Sequence, residues 1–234
     1  MANIAERIAH VQEHIAAACA RGGRDPATVT LVAVTKTFPV SVIREAASLG
    51  LRHFGENRVQ EARDKVPRCA DLDVEWHLIG SLQSNKVNLA LQLFDVVHSV
   101  DSQELAKHIS LRTQRRGRYI DTVPILLEVN ASGERSKHGF SPEELCQEAP
   151  AIARLPGLTI RGLMTVAPVV RDVEETRPVF RSLRLLLEEL KPVFHAHPFQ
   201  DLSMGMSQDF EVAIEEGATL VRLGTALFGP RQLP

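Results

Sequence analysis

Short runs rich in β-branched residues alternate with longer stretches of helical period along nearly the whole chain. A strand–helix repeat of this kind predicts parallel strands joined by crossover helices. Roughly eight such units in about 200 to 250 residues match a (β/α)8 TIM barrel, so the expected fold class is α/β with a single barrel. The predicted strands are Thr30 to Lys36, His53 to Asn57, Glu75 to Gly80, Val96 to Asp101, Val123 to Asn130, Leu158 to Val166, Asp201 to Gly205 and Leu220 to Gly224.

Helical segments fill the intervals between these strands, and an amphipathic helix over about residues 4–19 precedes the first one. No linker rich in Pro, Gly or Ser divides the chain, so residues 1–234 are expected to form one domain with its barrel over about 30–229. The alternative is an open doubly wound sheet. Against it, the first strand is not followed by GxGxxG or by an acidic residue placed to bind a ribose. The predicted helical segments are Val40 to Leu49, Arg58 to Val66, Asn85 to Leu93, Ser102 to Arg116, Pro142 to Leu155, Val173 to Leu190 and Gln208 to Gly217.

Charge and cysteine usage exclude several classes of function. The formal net charge is -2, so there is no overall positive field to attract nucleic acid or anionic lipid. Cys19, Cys69 and Cys146 are odd in number and lack CxxC spacing, which argues against a disulfide framework and a zinc site. The first twenty residues lack the apolar core of a signal peptide, and no apolar run is long enough for a membrane span. We therefore expect a cytoplasmic protein.

Lys36 follows the apolar run that ends the first strand and precedes a turn containing Pro39. In a barrel this is the C-terminal end of a strand, where catalytic and binding residues lie. Desolvation disfavours the ammonium form of a lysine, and the free amine can then attack an aldehyde. Alternatively, Lys36 extends out of the barrel mouth with its head in water.

Small and polar residues follow strands seven and eight. Ser203, Gly205, Met206 and Ser207 lie at the end of the seventh strand and just after it, and Arg222-Leu223-Gly224-Thr225 lies at the end of the eighth. Barrels frequently bind phosphate at these two strands, where glycines let the backbone approach a ligand and a helix start offers N–H groups to an anion. Equally, Ser207 could be an ordinary N-cap and Gly224 an ordinary turn residue.

Other strand ends add polar groups: Asn57 after strand two, His77 in strand three, and Asn130 after strand five. Both asparagines could bind neighbouring backbone groups without touching a ligand. A lone histidine in an apolar strand is more often a hydrogen-bonded core residue than a functional one.

Six motifs occur in order along the chain: Val34-Thr35-Lys36-Thr37 with Pro39, Phe54-Gly55-Glu56-Asn57 through Gln60-Glu61, Trp76-His77-Leu78-Ile79-Gly80 with Leu82-Gln83 and Asn85-Lys86, Gly162-Leu163-Met164, Leu202-Ser203-Met204-Gly205-Met206-Ser207, and Val221-Arg222-Leu223-Gly224-Thr225 with Phe228-Gly229. Together they resemble the family of pyridoxal phosphate homeostasis proteins, the YggS-like family. The resemblance implies a fold-type III barrel that binds pyridoxal 5′-phosphate (PLP) like the N-terminal domain of alanine racemase, with an extra N-terminal helix and no second domain.

The same resemblance implies roles for individual residues. Lys36 would hold the cofactor as a Schiff base, and Arg222 would face the pyridine nitrogen. Lys137 falls on a loop lysine that the family associates with cofactor exchange, and Phe38 stands where many relatives carry lysine. The phosphate would lie against Ser203 to Ser207 and the turn at Gly224 and Thr225, and the cofactor-binding set is Lys36, Asn57, Ser203, Gly205, Met206, Ser207, Arg222, Gly224 and Thr225.

A PLP carrier and an amino-acid racemase remain as alternative functions. In alanine racemase the second acid/base group is a tyrosine from an added β-domain, whereas here the only tyrosine is Tyr119, ahead of strand five. We therefore expect a monomeric, non-catalytic protein that binds, buffers or delivers PLP, with PLP-dependent apo-enzymes as candidate recipients and no nucleic-acid or membrane partner. A barrel that binds another phosphorylated metabolite is a third possibility.

Overall fold

Eight parallel strands form a closed barrel in sequence order, with β1 paired to both β2 and β8. The structure is a computed structural model that describes residues 3–115, 122–134 and 137–230. The α/β barrel prediction is therefore confirmed. The strands are β1 (Thr30–Val34), β2 (His53–Glu56), β3 (Glu75–Leu78), β4 (Val96–Val100), β5 (Val123–Glu128), β6 (Leu158–Met164), β7 (Asp201–Ser203) and β8 (Leu220–Leu223).

Nine α-helices lie within the described ranges, together with 3-10 turns at Pro26–Thr28, Val66–Cys69, Ser84–Lys86 and Val173–Thr176. A helix follows every strand, as the crossover pattern requires. None of these helices is long and apolar enough to cross a membrane. The helices are α1 (Ile4–Arg21), α2 (Val40–Ser48), α3 (Val59–Lys65), α4 (Val87–Leu93), α5 (Gln103–Arg115), α6 (Pro142–Ile152), α7 (Arg177–Leu190), α8 (Phe210–Glu215) and α9 (Thr225–Phe228).

Every predicted strand begins at the expected residue but ends one or two residues earlier. After several strands an apolar residue such as Ile79, Val129 or Met204 follows the last residue of the strand, so sequence alone extends the strands too far. Helix α8 begins at Phe210 instead of Gln208, with Asp209 as its N-cap. Helix α9 is absent from the prediction because four residues are too few to show a helical period.

Helix α1 begins with a capping box, in which the Asn3 side chain accepts from the Glu6 N–H and the Glu6 side chain accepts from the Asn3 N–H. Its apolar face packs against α8 and α9, next to the last strand. Arg24, just past the helix, donates to the carbonyls of Ile214 and Ala218, both at 2.8 Å. The leading helix is thereby fixed to the C-terminal part of the barrel.

The apolar core divides into two parts of very different size. The larger part lies between the strands and the surrounding helices. The smaller one, inside the barrel, consists of Val32, Val96, Leu126, Met164 and Leu220. Because parallel neighbours in register point to the same side, strand partners of this inner cluster also point inward, and many of them are polar. The barrel interior therefore contains a polar core.

Candidate functional site

Lys36 lies two residues beyond the end of β1, at the C-terminal mouth of the barrel, and is half-buried. The next residue, Thr37, has a φ of 70°, a left-handed conformation that is uncommon for a residue other than glycine. Gly224 lies alongside the same strand, where an added Cβ would be 3.4 Å from the Val34 carbonyl oxygen. The ends of β1 and β8 therefore lie side by side, two residues before Lys36.

A buried lysine, Lys65, holds the backbone next to Lys36. Its ammonium donates to the Thr35 carbonyl at 2.8 Å, to Glu56 Oε1 at 2.8 Å and to Glu61 Oε1 at 2.6 Å. The Glu61 carboxylate also accepts from the Thr37 N–H at 2.5 Å. Lys36 is thus flanked on both sides by backbone groups anchored to one ion-pair cluster. Burial raises the pKa of Glu56, a shift that the hydrogen bond with Lys65 opposes.

Arg222 is buried inside the barrel on β8, one strand away from Lys36. Its Nη1 donates to Ser203 Oγ at 2.5 Å and its Nη2 to the Thr165 carbonyl at 2.8 Å. Desolvation lowers the pKa of Arg222 to about 10, so the guanidinium remains charged at neutral pH. Ser203 is fully buried, and its hydroxyl fixes the position of this cation.

A line of three histidines continues from Ser203 towards the other end of the barrel. His98 Nδ1 lies 2.9 Å from Ser203 Oγ, and His98 Nε2 lies 2.8 Å from His77 Nδ1. His77 Nε2 in turn lies 3.2 Å from His53 Nδ1 and 3.2 Å from Glu75 Oε1. Desolvation lowers the pKa of His77 to about 3, against the opposing effect of Glu75. The expectation that His77 is a buried, hydrogen-bonded core histidine is confirmed.

Ser207 connects the loops after β7 and β8. Its hydroxyl accepts from the backbone N–H groups of Gly224 at 3.3 Å and Ala226 at 3.2 Å. With both acceptor positions engaged, the hydroxyl proton is what Ser207 can offer a ligand. Ser207 is not the N-cap of α8, because Asp209 occupies that position and accepts from the Met206 N–H at 2.6 Å.

Gly205 brings the loop after β7 close to α8. Its φ is 95°, and a Cβ added there would lie 2.7 Å from Ala213 Cβ and 3.0 Å from Phe210 Cα. Only glycine fits this close approach without movement of the backbone. The loop is therefore held against the helix, with the half-buried Ser207 two residues further along.

Two side-chain oxygens at the barrel mouth are buried without a hydrogen-bond partner among the described residues, Asn57 Oδ1 and Glu128 Oε2. Asn57 follows β2, and its backbone carbonyl lies close to Gly80. A Cβ added at Gly80 would lie 2.4 Å from the Asn57 carbonyl oxygen. A third such atom, Glu56 Oε2, belongs to the Lys65 cluster. Buried polar atoms are usually paired, so unpaired acceptors at a mouth are compatible with a polar ligand.

Glu128 ends β5 and is in register with the inward-facing Met164. Burial, assisted by the nearby Asp101, raises the pKa of Glu128 to about 7, and Arg222 and His138 oppose this shift. Glu128 borders a cavity of about 230 Å³ that Lys137 and His138 also line. Sequence reasoning missed Glu128, because a single carboxylate at the end of an apolar strand gives no signal of its own.

The remaining predicted residues are placed as follows. Thr225 is exposed and begins α9, and the Phe38 ring packs against Phe228 of the same helix with centroids 5.2 Å apart. The Asn130 side-chain amide donates to the Glu134 carbonyl at 2.8 Å. This contact agrees with the alternative that Asn130 binds neighbouring backbone groups. The interpretation of Tyr119 as remote from the site concerns a residue outside the described ranges.

Comparison with known proteins agrees with this architecture. Residues 3–232 match the model of the alanine racemase N-terminal domain. A structure of alanine racemase from Corynebacterium glutamicum superposes with a TM-score of 0.67 at 16% identity, over 95% of this chain and 61% of that one. The chain therefore has the fold of the alanine racemase N-terminal barrel.

Much closer relatives specify the family. The pyridoxal phosphate homeostasis protein of Pseudomonas aeruginosa is 46% identical over 99% of this chain and 97% of its own length. That of Aquifex aeolicus is 45% identical over 98% of this chain and 99% of its own length. PipY of Synechococcus elongatus, solved with PLP bound, has a TM-score of 0.84 at 40% identity over 97% of this chain and 100% of that one. The chain belongs to the family of pyridoxal phosphate homeostasis proteins.

Proposed function

We propose that this chain binds PLP at the C-terminal mouth of the barrel, holds it as a Schiff base on Lys36, and serves to buffer or deliver it. The observation that carries the proposal is that Lys36 lies just beyond β1, and that the neighbouring β8 carries a buried, fixed guanidinium, Arg222, in register with Val32 of β1. An amine and a fixed cation at adjacent strand ends suit a ligand with an aldehyde and an aromatic ring nitrogen. PipY, whose structure contains PLP, is a relative over nearly the full length.

The residues present fit such a cofactor. The Ser207 hydroxyl and the turn at Gly224 and Thr225 lie at the two strands where barrels commonly bind phosphate. Gly205 and Gly224 keep Cβ atoms away from these loops. Asn57 Oδ1 supplies a buried acceptor, and the Glu128 carboxyl, with its raised pKa, can donate in its protonated form. Met206 contributes only backbone geometry, since its N–H is engaged by Asp209.

Each residue has a defined task in this proposal. The Lys36 amine condenses with the aldehyde and releases one water, and the bond is reversible by hydrolysis. Arg222 cannot accept a proton, so it keeps a facing ring nitrogen unprotonated. Bound PLP supplies an electron sink for carbanions, and an unprotonated ring weakens this ability. Ser203 and Thr165 orient Arg222, and Lys65 fixes the backbone around Lys36.

A carrier function explains why the site tunes the cofactor towards low reactivity. The relatives in Pseudomonas aeruginosa and Aquifex aeolicus are named homeostasis proteins. We propose the same role for this chain, as a monomer in the cytoplasm with PLP-dependent apo-enzymes as recipients. Gel filtration with light scattering tests the monomer, and transfer of PLP to an apo-enzyme, followed by recovery of its activity, tests delivery.

Borohydride trapping tests the Lys36 assignment. Purified protein incubated with PLP should show a visible absorption band, and reduction followed by peptide mapping should place the label on Lys36. Lys36→Ala should lose the band, whereas Lys86→Ala, a lysine change in the loop after β3, should keep it. Label mainly on Lys86 or Lys137 would contradict the assignment. Failure to develop any band would favour another phosphorylated ligand.

The second candidate function is that of an amino-acid racemase, and the observation that favours it concerns Glu128. A buried carboxyl with a pKa of about 7, near Arg222, has the properties of a general acid or base at neutral pH. Incubation with L- and D-amino acids in deuterated water, with α-proton exchange and chirality as readouts, separates the two functions. We expect no racemisation. Racemisation at about 10⁴ M⁻¹s⁻¹ or more, lost in Glu128→Gln, would establish the enzyme instead.

A further inference from the structure

Two histidines and a glutamate converge at the N-terminal end of the barrel, opposite the mouth that carries Lys36. His53 and Glu75 are the first residues of β2 and β3, and His77 lies two residues further along β3. His53 Nδ1, His77 Nε2 and one Glu75 oxygen all lie within 4.8 Å of one another. The His53 and Glu75 side chains are 34% and 36% exposed, so this end of the cluster is open to solvent.

The spacing of these three atoms matches one face of a coordination tetrahedron. His53 Nδ1 to His77 Nε2 and His77 Nε2 to Glu75 Oε1 are both 3.2 Å, and His53 Nδ1 to Glu75 Oε1 is 3.8 Å. Ligands bound about 2.0 to 2.1 Å from a tetrahedral Zn²⁺ are separated by roughly 3.3 Å. Only small side-chain movements would bring all three atoms to an ion.

Hydrogen bonds cannot join all three atoms of this triangle at once. One imidazole nitrogen, His77 Nε2, faces an imidazole nitrogen and a carboxylate oxygen at equal distance, and a single N–H can point well at only one of them. The third edge, at 3.8 Å, is too long for a hydrogen bond. A cation at the centre would interact with all three atoms together.

The surroundings provide a support for a metal-binding histidine. His77 Nδ1 lies 2.8 Å from His98 Nε2, and His98 is held in turn by Ser203 at 2.9 Å. Metal-bound histidines usually donate their second ring N–H to an acceptor such as a carboxylate, a backbone carbonyl or water, which fixes the tautomer and the ring orientation. Here the imidazole nitrogen His98 Nε2 takes the place of that acceptor. With Nδ1–H donated to His98, the Nε2 lone pair of His77 points to the centre of the cluster.

We propose that His53, Glu75 and His77 bind one divalent transition-metal ion, with water completing the coordination. Two imidazoles and one carboxylate form a donor set that suits Zn²⁺. Arg161 Nη1 lies 3.8 Å from Glu75 Oε1 and opposes a cation there. Its charge is largely directed elsewhere, because Arg161 Nε donates to Asp201 at 2.7 Å. The ion ties β2 to β3 at the N-terminal end of the barrel, independently of PLP.

Zinc titration of the untagged, full-length, cofactor-free chain tests this site. Calorimetry should show one equivalent of Zn²⁺ bound by the wild type. Glu75→Gln keeps the shape but removes the charge, and His53→Gln removes a ligand at a partly exposed position. Each should weaken binding by roughly 10- to 100-fold or more, the range found even for outer-shell changes around bound metals. Co²⁺ bound by the wild type should show the absorption of a tetrahedral site, a result that needs no variant to fold.

His14→Ala is the matched control. His10 and His14 lie one turn apart on α1, with ring centroids 4.3 Å apart and His14 Nδ1 2.7 Å from Glu211, so they are a competing surface position for the same ion. Zinc affinity unchanged in His14→Ala and reduced in both cluster variants supports the proposal. Loss of binding in His14→Ala with retention in Glu75→Gln and His53→Gln overturns it. So does the absence of stoichiometric zinc binding and tetrahedral cobalt absorption in the wild type.

Discussion

The Arg222 guanidinium on β8 donates to the Ser203 hydroxyl on the neighbouring β7, with Nη1 and Oγ 2.5 Å apart. The same hydroxyl lies 2.9 Å from His98 Nδ1, so one buried oxygen joins the cation at the barrel mouth to the histidine line below it. Because an unpaired buried charge is costly, this contact is part of what allows the barrel to contain an arginine.

Ser203→Ala should therefore destabilise the fold. The change leaves Arg222 and His98 each without one partner in a buried environment, and we expect the free energy of unfolding to fall by about 1 to 3 kcal/mol. Urea unfolding monitored by circular dichroism measures this. Ser48→Ala is the control, since Ser48 is exposed and its hydroxyl donates only to the Glu45 carbonyl. It should shift stability by about 0.5 kcal/mol or less, and an equally small effect at Ser203 would contradict the role assigned to its hydroxyl.

Ser207→Ala and Thr225→Val should weaken PLP binding. Each change removes a hydroxyl donor near the proposed phosphate position, worth about 1.5 to 3 kcal/mol towards a charged acceptor. The dissociation constant, measured by equilibrium dialysis, should rise by roughly one or two decades. Pyridoxal, which lacks the phosphate, is the control ligand. Its affinity for each variant should be about the same as its affinity for the wild type. Unchanged PLP affinity in both variants would rule out this phosphate position.

Gly205→Ala should cost more stability than Gly50→Ala, although the two backbones are alike. Their φ angles are 95° and 96°, so both substitutions introduce similar backbone strain. A Cβ at Gly50 meets nothing within 4 Å, whereas one at Gly205 meets Ala213 and Phe210. We expect an extra loss of about 1 to 3 kcal/mol at Gly205 from overpacking. Equal unfolding free energies for the two variants would show that the loop can move away from α8.

The Glu128 carboxyl should make stability depend on pH in the cofactor-free protein. Its pKa is raised from 4.5 to about 7, so the folded state keeps a proton that the unfolded state releases. This contribution is fully present below pH 4.5 and is lost as the pH rises through about 7. Relative to Glu128→Gln, the wild type should lose up to about 3 kcal/mol across this window, at about 1.36 kcal/mol per pKa unit.

Urea unfolding of both proteins at a series of pH values measures the difference. Glu13→Gln, at an exposed position on α1, is the control and should run parallel to the wild type. A stability difference between wild type and Glu128→Gln that stays constant from pH 4.5 to 8 would show that the carboxyl titrates normally in the folded state.

The barrel could be predicted from sequence because each strand carries its own local signal, an apolar β-branched run followed by a helical period. Lys36 and Arg222 could be placed at neighbouring strand ends because strand order in a barrel follows chain order. The polar interior could not be predicted, since His98 and Ser203 are 105 residues apart and no local pattern links them. The role of Ser207 depends on α8 starting later than expected, at Phe210, and on the helix at Thr225 that is too short to leave a period.

The cluster around Lys65 also bears on chemical selectivity between two lysines, Lys36 and Lys65, at the proposed PLP site. An amine reacts with a carbonyl carbon through its lone pair, and the Lys65 ammonium has none to offer while its three hydrogens are donated to Thr35, Glu56 and Glu61. Lys65 is therefore excluded as a competing nucleophile by the same contacts that make it a structural anchor. In the proposed PLP site, Lys65 therefore does not compete with Lys36 for the aldehyde, and the anchor of the site is protected from the ligand that the site is proposed to bind.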